Sequence, residues 1–271
     1  MRIQVSLILL FSSMAGAQNS GVSAADSGTW QETPYRLEFG GYASHATKGL
    51  GTWRGGDGQL WFRGNRRITP VLTFESQTRP TGTQQNMGAM AIVNWSRNFY
   101  TIQGASASVA GKGEARYFPG QRYDFRGLWK TSFDRNFLLS AGYTRVNYGR
   151  GVSADMPNVG FLSYKGKVIT EGVFYWVKNN PGNFNAGAAT LSSMYGREGK
   201  YWVGATVGGG REVYRVVSVN PAEVRLNSFS VYAFARKWIT RNTGVIVFFD
   251  FQNRIDFFRR TGAGARLFWE F

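Results

Sequence analysis

The sequence predicts an all-β chain: one antiparallel, up-and-down transmembrane β-barrel of about 14 strands, with about 12 as the alternative count. Three observations predict it. The N-terminus has the three-part order of a secretory leader. From Tyr35 on, segments of about ten residues alternate apolar with polar side chains and end in turn residues, over and over. No stretch is apolar for long enough to cross a membrane as a helix, which takes about twenty residues. The best run, Val245-Ile246-Val247-Phe248-Phe249, is closed by Asp250.

The leader is built from Arg2, the short apolar core Val5-Ser6-Leu7-Ile8-Leu9-Leu10-Phe11 and the cleavage signal Ala15-Gly16-Ala17; Val22-Ser23-Ala24 is a second possible cleavage point. The expected organisation is a signal peptide over residues 1–17, a short mobile segment over 18–34 and a single barrel over 35–271. Composition agrees. Glycine is 35 of 271 residues and aromatics are 16%, against only 18% charged, which suits tightly turned strands with ring-bearing faces better than a helical bundle. There is no cysteine, which excludes disulfides, thiolate metal sites and cysteine nucleophiles.

Alternation is clearest in four segments. Tyr35-Arg36-Leu37-Glu38-Phe39 alternates apolar with charged, and Gln59-Leu60-Trp61-Phe62-Arg63 does so imperfectly. Val71 to Gln77 sets Leu72 and Phe74 against Thr73, Glu75 and Gln77, while Tyr123 to Lys130 sets three aromatics against Asp124, Arg126 and Lys130. Tight turns are expected near Asn65-Arg66-Arg67, Arg97-Asn98, Phe133 to Asn136, Lys165-Gly166, Arg197 to Lys200 and Lys237 to Thr243. Longer connections are expected at Thr47–Thr52, Arg79–Asn86, Ala110–Gln121, Tyr148–Asn158, Asn179–Asn183 and Arg211–Glu223, giving short periplasmic turns and long outer loops. Strands are expected to begin near Tyr35, Trp53, Pro70, Met87, Phe99, Arg122, Phe137, Asn158, Val168, Phe184, Tyr201, Val224, Gly244 and Phe257. The alternative architecture for such alternation is a soluble β-sandwich; the leader and the loop pattern argue against it.

A charge facing hydrocarbon at the midplane costs about 2–4 kcal/mol for Lys or Arg. Mid-strand charges should therefore face inward: Arg36, Glu38, Asp57, Arg63, Glu75, Asp124, Arg126, Lys130, Glu171, Asp250, Arg266 and Glu270, with Gln59 beside them. They fit either an internal salt-bridge network that stiffens a closed barrel or a wetted lumen that passes solutes. The loop Gly111 to Gly120, with Tyr117-Phe118-Pro119, fits a constriction or an ordinary rim loop. Trp61, Trp95, Trp129, Trp176, Trp202 and Trp269 are expected in aromatic girdles at the two lipid–water interfaces rather than as carbohydrate platforms.

The net charge is +16, of which the leader removes only Arg2. For a secreted chain this argues for anionic lipid, lipopolysaccharide included, or a basic lumen as the partner of the charge, not nucleic acid. His45 is the lone histidine, so no metal site and no cofactor are expected. A lipid-modifying enzyme of lipase or acyltransferase type would use His45 with a serine and an acid from other strands, such as Ser76 and Glu75; adjacent Ser44 faces the other way.

The chain ends in Ala263-Gly264-Ala265-Arg266-Leu267-Phe268-Trp269-Glu270-Phe271. Phe271 with Trp269 and Leu267 behind it resembles the signal read by the barrel-assembly machinery. Together with Tyr35-Arg36-Leu37-Glu38-Phe39-Gly40, Tyr117-Phe118-Pro119-Gly120 and the closing run from Arg260-Thr261-Gly262, the layout resembles the YaiO family of outer-membrane β-barrels. That resemblance implies a location, the cell outer membrane, and no assigned chemistry. The expected role is an integral barrel without a catalytic constellation, as a narrow pore or a structural or export-associated component, its solute or polysaccharide partner unnamed.

Overall fold

The computed structural model describes residues 33–112, 118–149, 151–180, 184–216, 222–255 and 257–271. The expected leader and most of the segment expected before Tyr35 lie outside them. Fourteen strands follow in order: β1 (Tyr35–Ala46), β2 (Gly51–Phe62), β3 (Ile68–Arg79), β4 (Gly82–Asn94), β5 (Phe99–Lys112), β6 (Gln121–Lys130) and β7 (Phe137–Gly149), then β8 (Val152–Lys165), β9 (Val168–Asn180), β10 (Phe184–Arg197), β11 (Tyr201–Val216), β12 (Ala222–Trp238), β13 (Thr243–Arg254) and β14 (Phe258–Glu270). Each pairs antiparallel with its sequence neighbours, and β14 returns to β1, so the sheet is a closed barrel. The seam runs from Arg36 opposite Glu270 to Ala46 opposite Arg260. Closure is what lipid demands: hydrocarbon offers no partner to an edge strand's amides. Tyr35 and Phe271 finish the seam with reciprocal backbone bonds of 3.0 and 3.1 Å and stacked rings.

The count is fourteen, not twelve, and because it is even Tyr35 and Phe271 lie at one end of the barrel, hereafter the terminal end. Six of the expected turns lie there, and every strand begins within a few residues of its expected start except β4 and β8, which begin at Gly82 and Val152 rather than near Met87 and Asn158. The expected asymmetry of connections is not observed. β7 and β8 run to Gly149 and from Val152, β3 and β4 to Arg79 and from Gly82, and β11 and β12 to Val216 and from Ala222. Most of Arg79–Asn86 and Tyr148–Asn158, and the stretch from Arg211 to Val216, which read as outer loop, are strand that has climbed past the lipid band, where outward residues such as Asp155 and Arg211 are no longer apolar. Only the β5–β6 connection, residues 113–120, is longer.

The period of two sorts side chains cleanly. Phe39, Leu72, Phe74, Phe125, Leu139, Val159, Phe174, Leu191, Val207, Val247, Phe249 and Leu267 face outward and are exposed, forming the apolar belt. Rings crowd the terminal end of that belt: Phe99 stacks on Trp129 at 4.9 Å, Phe137 on Phe161 at 5.7 Å and Trp269 lies 4.7 Å from Phe271. Trp95, Trp129, Trp176 and Trp269 are exposed on the outer face, as girdle residues are. Trp61 and Trp202 are not. Both point into the barrel, at 1% and 7% exposure, and Trp53 and Trp238 join them there. A tryptophan can sit inside because its N–H finds an acceptor: Gln59 for Trp61, Glu198 for Trp202, Glu270 for Trp238 and the Leu50 carbonyl for Trp53.

Candidate functional site: the barrel interior

The interior has two levels. At the terminal end nearly every strand sends one apolar side chain inward. Leu128, Leu138, Leu162 and Ile169 come from β6 to β9, and Trp202, Trp238, Ile246 and Phe268 from β11 to β14, with Met194 of β10 packed against them. Tyr100 and Ile102 of β5 carry the ring on to Ile92, Val71 and Trp61 of β4, β3 and β2. The buried members are no more than 7% exposed, although they face a lumen. Side chains therefore fill the barrel at this level, and the rings of tryptophan and phenylalanine supply the volume.

β1 breaks the apolar ring with charge. Arg36 donates from Nε to Glu270 Oε1 at 2.7 Å and pairs with Glu198 through Nη2. Arg236 reaches Glu38 Oε1 at 2.6 Å, and Arg63 reaches Glu270 at 3.4 Å. Arg36 and Arg236 lie against the rings of Trp238 and Phe268 at 5.3 to 5.9 Å. Glu198 enters from the turn between β10 and β11. Burial alone would raise its carboxyl, but Arg36, Arg236 and the Trp202 N–H outweigh that and hold it below the ordinary carboxylate range. Alternation could not flag Glu198, because a turn residue has no strand parity.

Toward the far end the wall divides. On β7 to β10 it is apolar, with Val146, Met156, Val173, Tyr175 and Val177 in one buried cluster. The interior also carries ion pairs: Arg260 with Asp250 at 2.7 Å between the neighbouring strands β14 and β13, Arg266 of β14 with Asp57 of β2 at 2.6 Å across β1, Arg126 of β6 with Glu171 of β9, and, along β6 itself, Arg122 gripping Asp124 through two bonds of 2.6 Å. Glu75 accepts from the Tyr42 hydroxyl at 2.8 Å, and Arg79 lies 3.8 Å over the Trp53 ring. Between these patches the inward residues are small and partly exposed: Gly88 and Ser106 on β4 and β5, and Thr190, Ser192, Thr206 and Ser230 on β10 to β12.

The mid-strand charges singled out from sequence all occupy inward positions, with Lys130 half-buried at the terminal rim. Sequence reading missed Arg79, Arg122, Arg236, Arg254 and Arg260, which also face inward. Their addition, with Glu198, takes the inner set from five basic and seven acidic side chains to ten and eight, so it stays close to balanced. The loop residue Phe118 is fully buried; its N–H donates to Gln84 Oε1 at 2.8 Å, and Gln84 faces inward. So the Phe118-Pro119-Gly120 end of that loop is fastened to the inner wall, while residues 113–117 lie outside the described residues. His45 is exposed on the outer face of β1, Ser44 is buried inside, and Glu75 faces the interior, so His45 and Glu75 are on opposite sides of the wall. Among the described residues no group of three or more His, Asp or Glu is placed to hold a metal.

Residues 36–215 match the model of the YaiO membrane β-barrel domain. The chain belongs to the YaiO family. No curated protein matches the sequence of this YaiO-family barrel. Its fold is similar to the crystal structure of the outer membrane protein Omp33 of Acinetobacter baumannii, with a TM-score of 0.52 at 14% identity over 89% of this chain and 100% of that one. It is also similar to the CymD monoaromatic hydrocarbon channel, with a TM-score of 0.55 at 8% identity over 89% of each chain. Family and fold together make it an outer-membrane β-barrel.

Proposed function

We propose that this YaiO-family barrel is a narrow, side-chain-gated passage for small solutes, held shut at the terminal end by the apolar collar. The observation that carries the reading is the contrast between the two levels: a partly exposed, small-residue lumen toward the far end and a buried apolar ring below it. A ring of that kind excludes water, and hydrophobic constrictions gate pores by dewetting. The terminal end is the periplasmic one on this reading, because the longest connection is at the other end. The leader over residues 1–17 delivers the chain across the inner membrane. Leu267, Trp269 and Phe271, which line up on the outer face of β14, are the handle for the assembly machinery.

Planar-bilayer recordings test the passage. The wild-type barrel should conduct rarely and weakly. Leu138→Ala with Trp202→Ala, which removes volume from two sides of the collar, should raise the open probability or the unit conductance several-fold. Equal conductance in both proteins would mean that the collar is not the barrier.

A further inference from the structure

We propose that the outer wall of the seam strands, at the far end, is a binding site for a phosphorylated lipid of the outer leaflet, with His45 at its centre. The inference concerns the outside of the barrel and stands whether or not the lumen conducts. His45 is exposed on the outer face of β1, directly opposite Thr52 on β2 and Thr261 on β14. Two residues along those strands, Arg54 lies on the membrane side of it and Arg259 on the outer side. Diagonal cross-strand neighbours sit roughly 7–8 Å apart, within reach of long side chains. All five residues point outward and are exposed, and neither guanidinium has an ion-pair partner among the described residues. Two arginines that can each offer a planar fork, two hydroxyls and an imidazole suit a phosphomonoester.

Directly below this group the wall has no large side chains. Ala263 and Ala265 on β14, Ala43 and Gly41 on β1, and Gly56 on β2 form a shallow strip on the lipid side. Phe249 and Phe251 of β13 border it, and Phe39 and Leu267 close it below. A phosphate held between Arg54 and Arg259 would lay its acyl chains in that strip. The other outward basic group at the far end lacks this character: Asp155 lies between Arg145 and Lys178 in register and is 3.7 Å from Arg145.

The full-length protein in detergent can be offered lipid A carrying its phosphates, the same lipid dephosphorylated, or inorganic phosphate, and bound lipid counted by native mass spectrometry. Arg54→Ser with Arg259→Ser should weaken retention of the phosphorylated lipid about tenfold, and His45→Gln should weaken it less. Ala43→Phe, which fills the strip without touching charge, should weaken it too, while Arg145→Ser with Lys178→Ser should not. All variants should keep heat-modifiable gel migration. Unchanged retention in the Arg54 and Arg259 double variant, or equal binding of dephosphorylated lipid, would overturn the proposal. Full displacement of the lipid by millimolar inorganic phosphate would also overturn it, since the site would then take a free anion.

Discussion

Arg36 is the residue on which the closed end of the barrel turns. It is 1% exposed and meets Glu198, Glu270 and Glu38, so its charge is compensated only inside the fold. Removing one partner from a buried ionic group costs about 3–5 kcal/mol because the remaining charges stay desolvated. Arg36→Ala should therefore lower the temperature at which the barrel loses its fast-migrating folded form on gels by far more than Arg66→Ala, in an exposed turn. Glu198 predicts the pH behaviour. Its depressed carboxyl stabilises the fold fully above the unfolded carboxylate value, and that stability is lost as pH falls through the lower folded value. Acid titration of wild type against Glu198→Gln should show the variant less stable near neutrality and flatter in its response below the ordinary carboxylate range; parallel curves would remove Glu198 from the network. The inward charges in strands were legible because lipid forbids the other face. Arg236 and Arg260 were not, since Tyr232 to Trp238 and Phe257 to Arg260 place apolar and basic residues side by side and hide the parity.

At the scale of the element, the seam between β1 and β14 decides whether the sheet closes. Gly40 has no room for a side chain: a Cβ there would meet the Ala265 carbonyl oxygen at 2.1 Å and the Arg266 Cα at 2.6 Å, both backbone atoms that cannot swing away. Gly41, its neighbour, would meet nothing nearer than 3.3 Å. Gly40→Ala should thus force the seam apart and reduce the folded fraction recovered from membranes, whereas Gly41→Ala should fold normally. Similar yields for the two would show that the seam tolerates a shift of this size. Strand existence and order were readable from repeated alternation, and so were most starts. The far ends of β7, β8, β11 and β12 were not, because strand that rises above the lipid band loses the apolar side chains of its outward face and reads as loop.

For the molecule as a whole, the belt of outward apolar side chains and the closed sheet leave one open matter, the state of the lumen. The inward charges in the sequence fit a filled barrel and a wetted lumen alike, and the alternation offers no means of seeing that Trp61, Trp202, Trp238 and Phe268 converge at one level; tryptophans at strand ends read equally well as girdle. Charge placement gives a prediction for current that does flow. Arg66, Arg67, Arg97, Arg135, Lys165, Arg197 and Lys200 gather at the terminal end, and the paired inner charges nearly cancel. A basic mouth concentrates anions within a Debye length, roughly 8 Å at physiological salt. Collar variants should show weak anion preference in reversal potentials, fading as salt rises; clear cation selectivity would mean that the lumen's carboxylates dominate. The collar itself can be tested through water. The chain has no cysteine, so a single Thr190→Cys or Ser230→Cys places one thiol in the lumen on the far side of the collar. The most direct measurement is its labelling by a small, membrane-impermeant thiol reagent applied from one face at a time. Labelling from the far-end face with none from the terminal-end face is the predicted result, and equal labelling from both faces would contradict the closed collar.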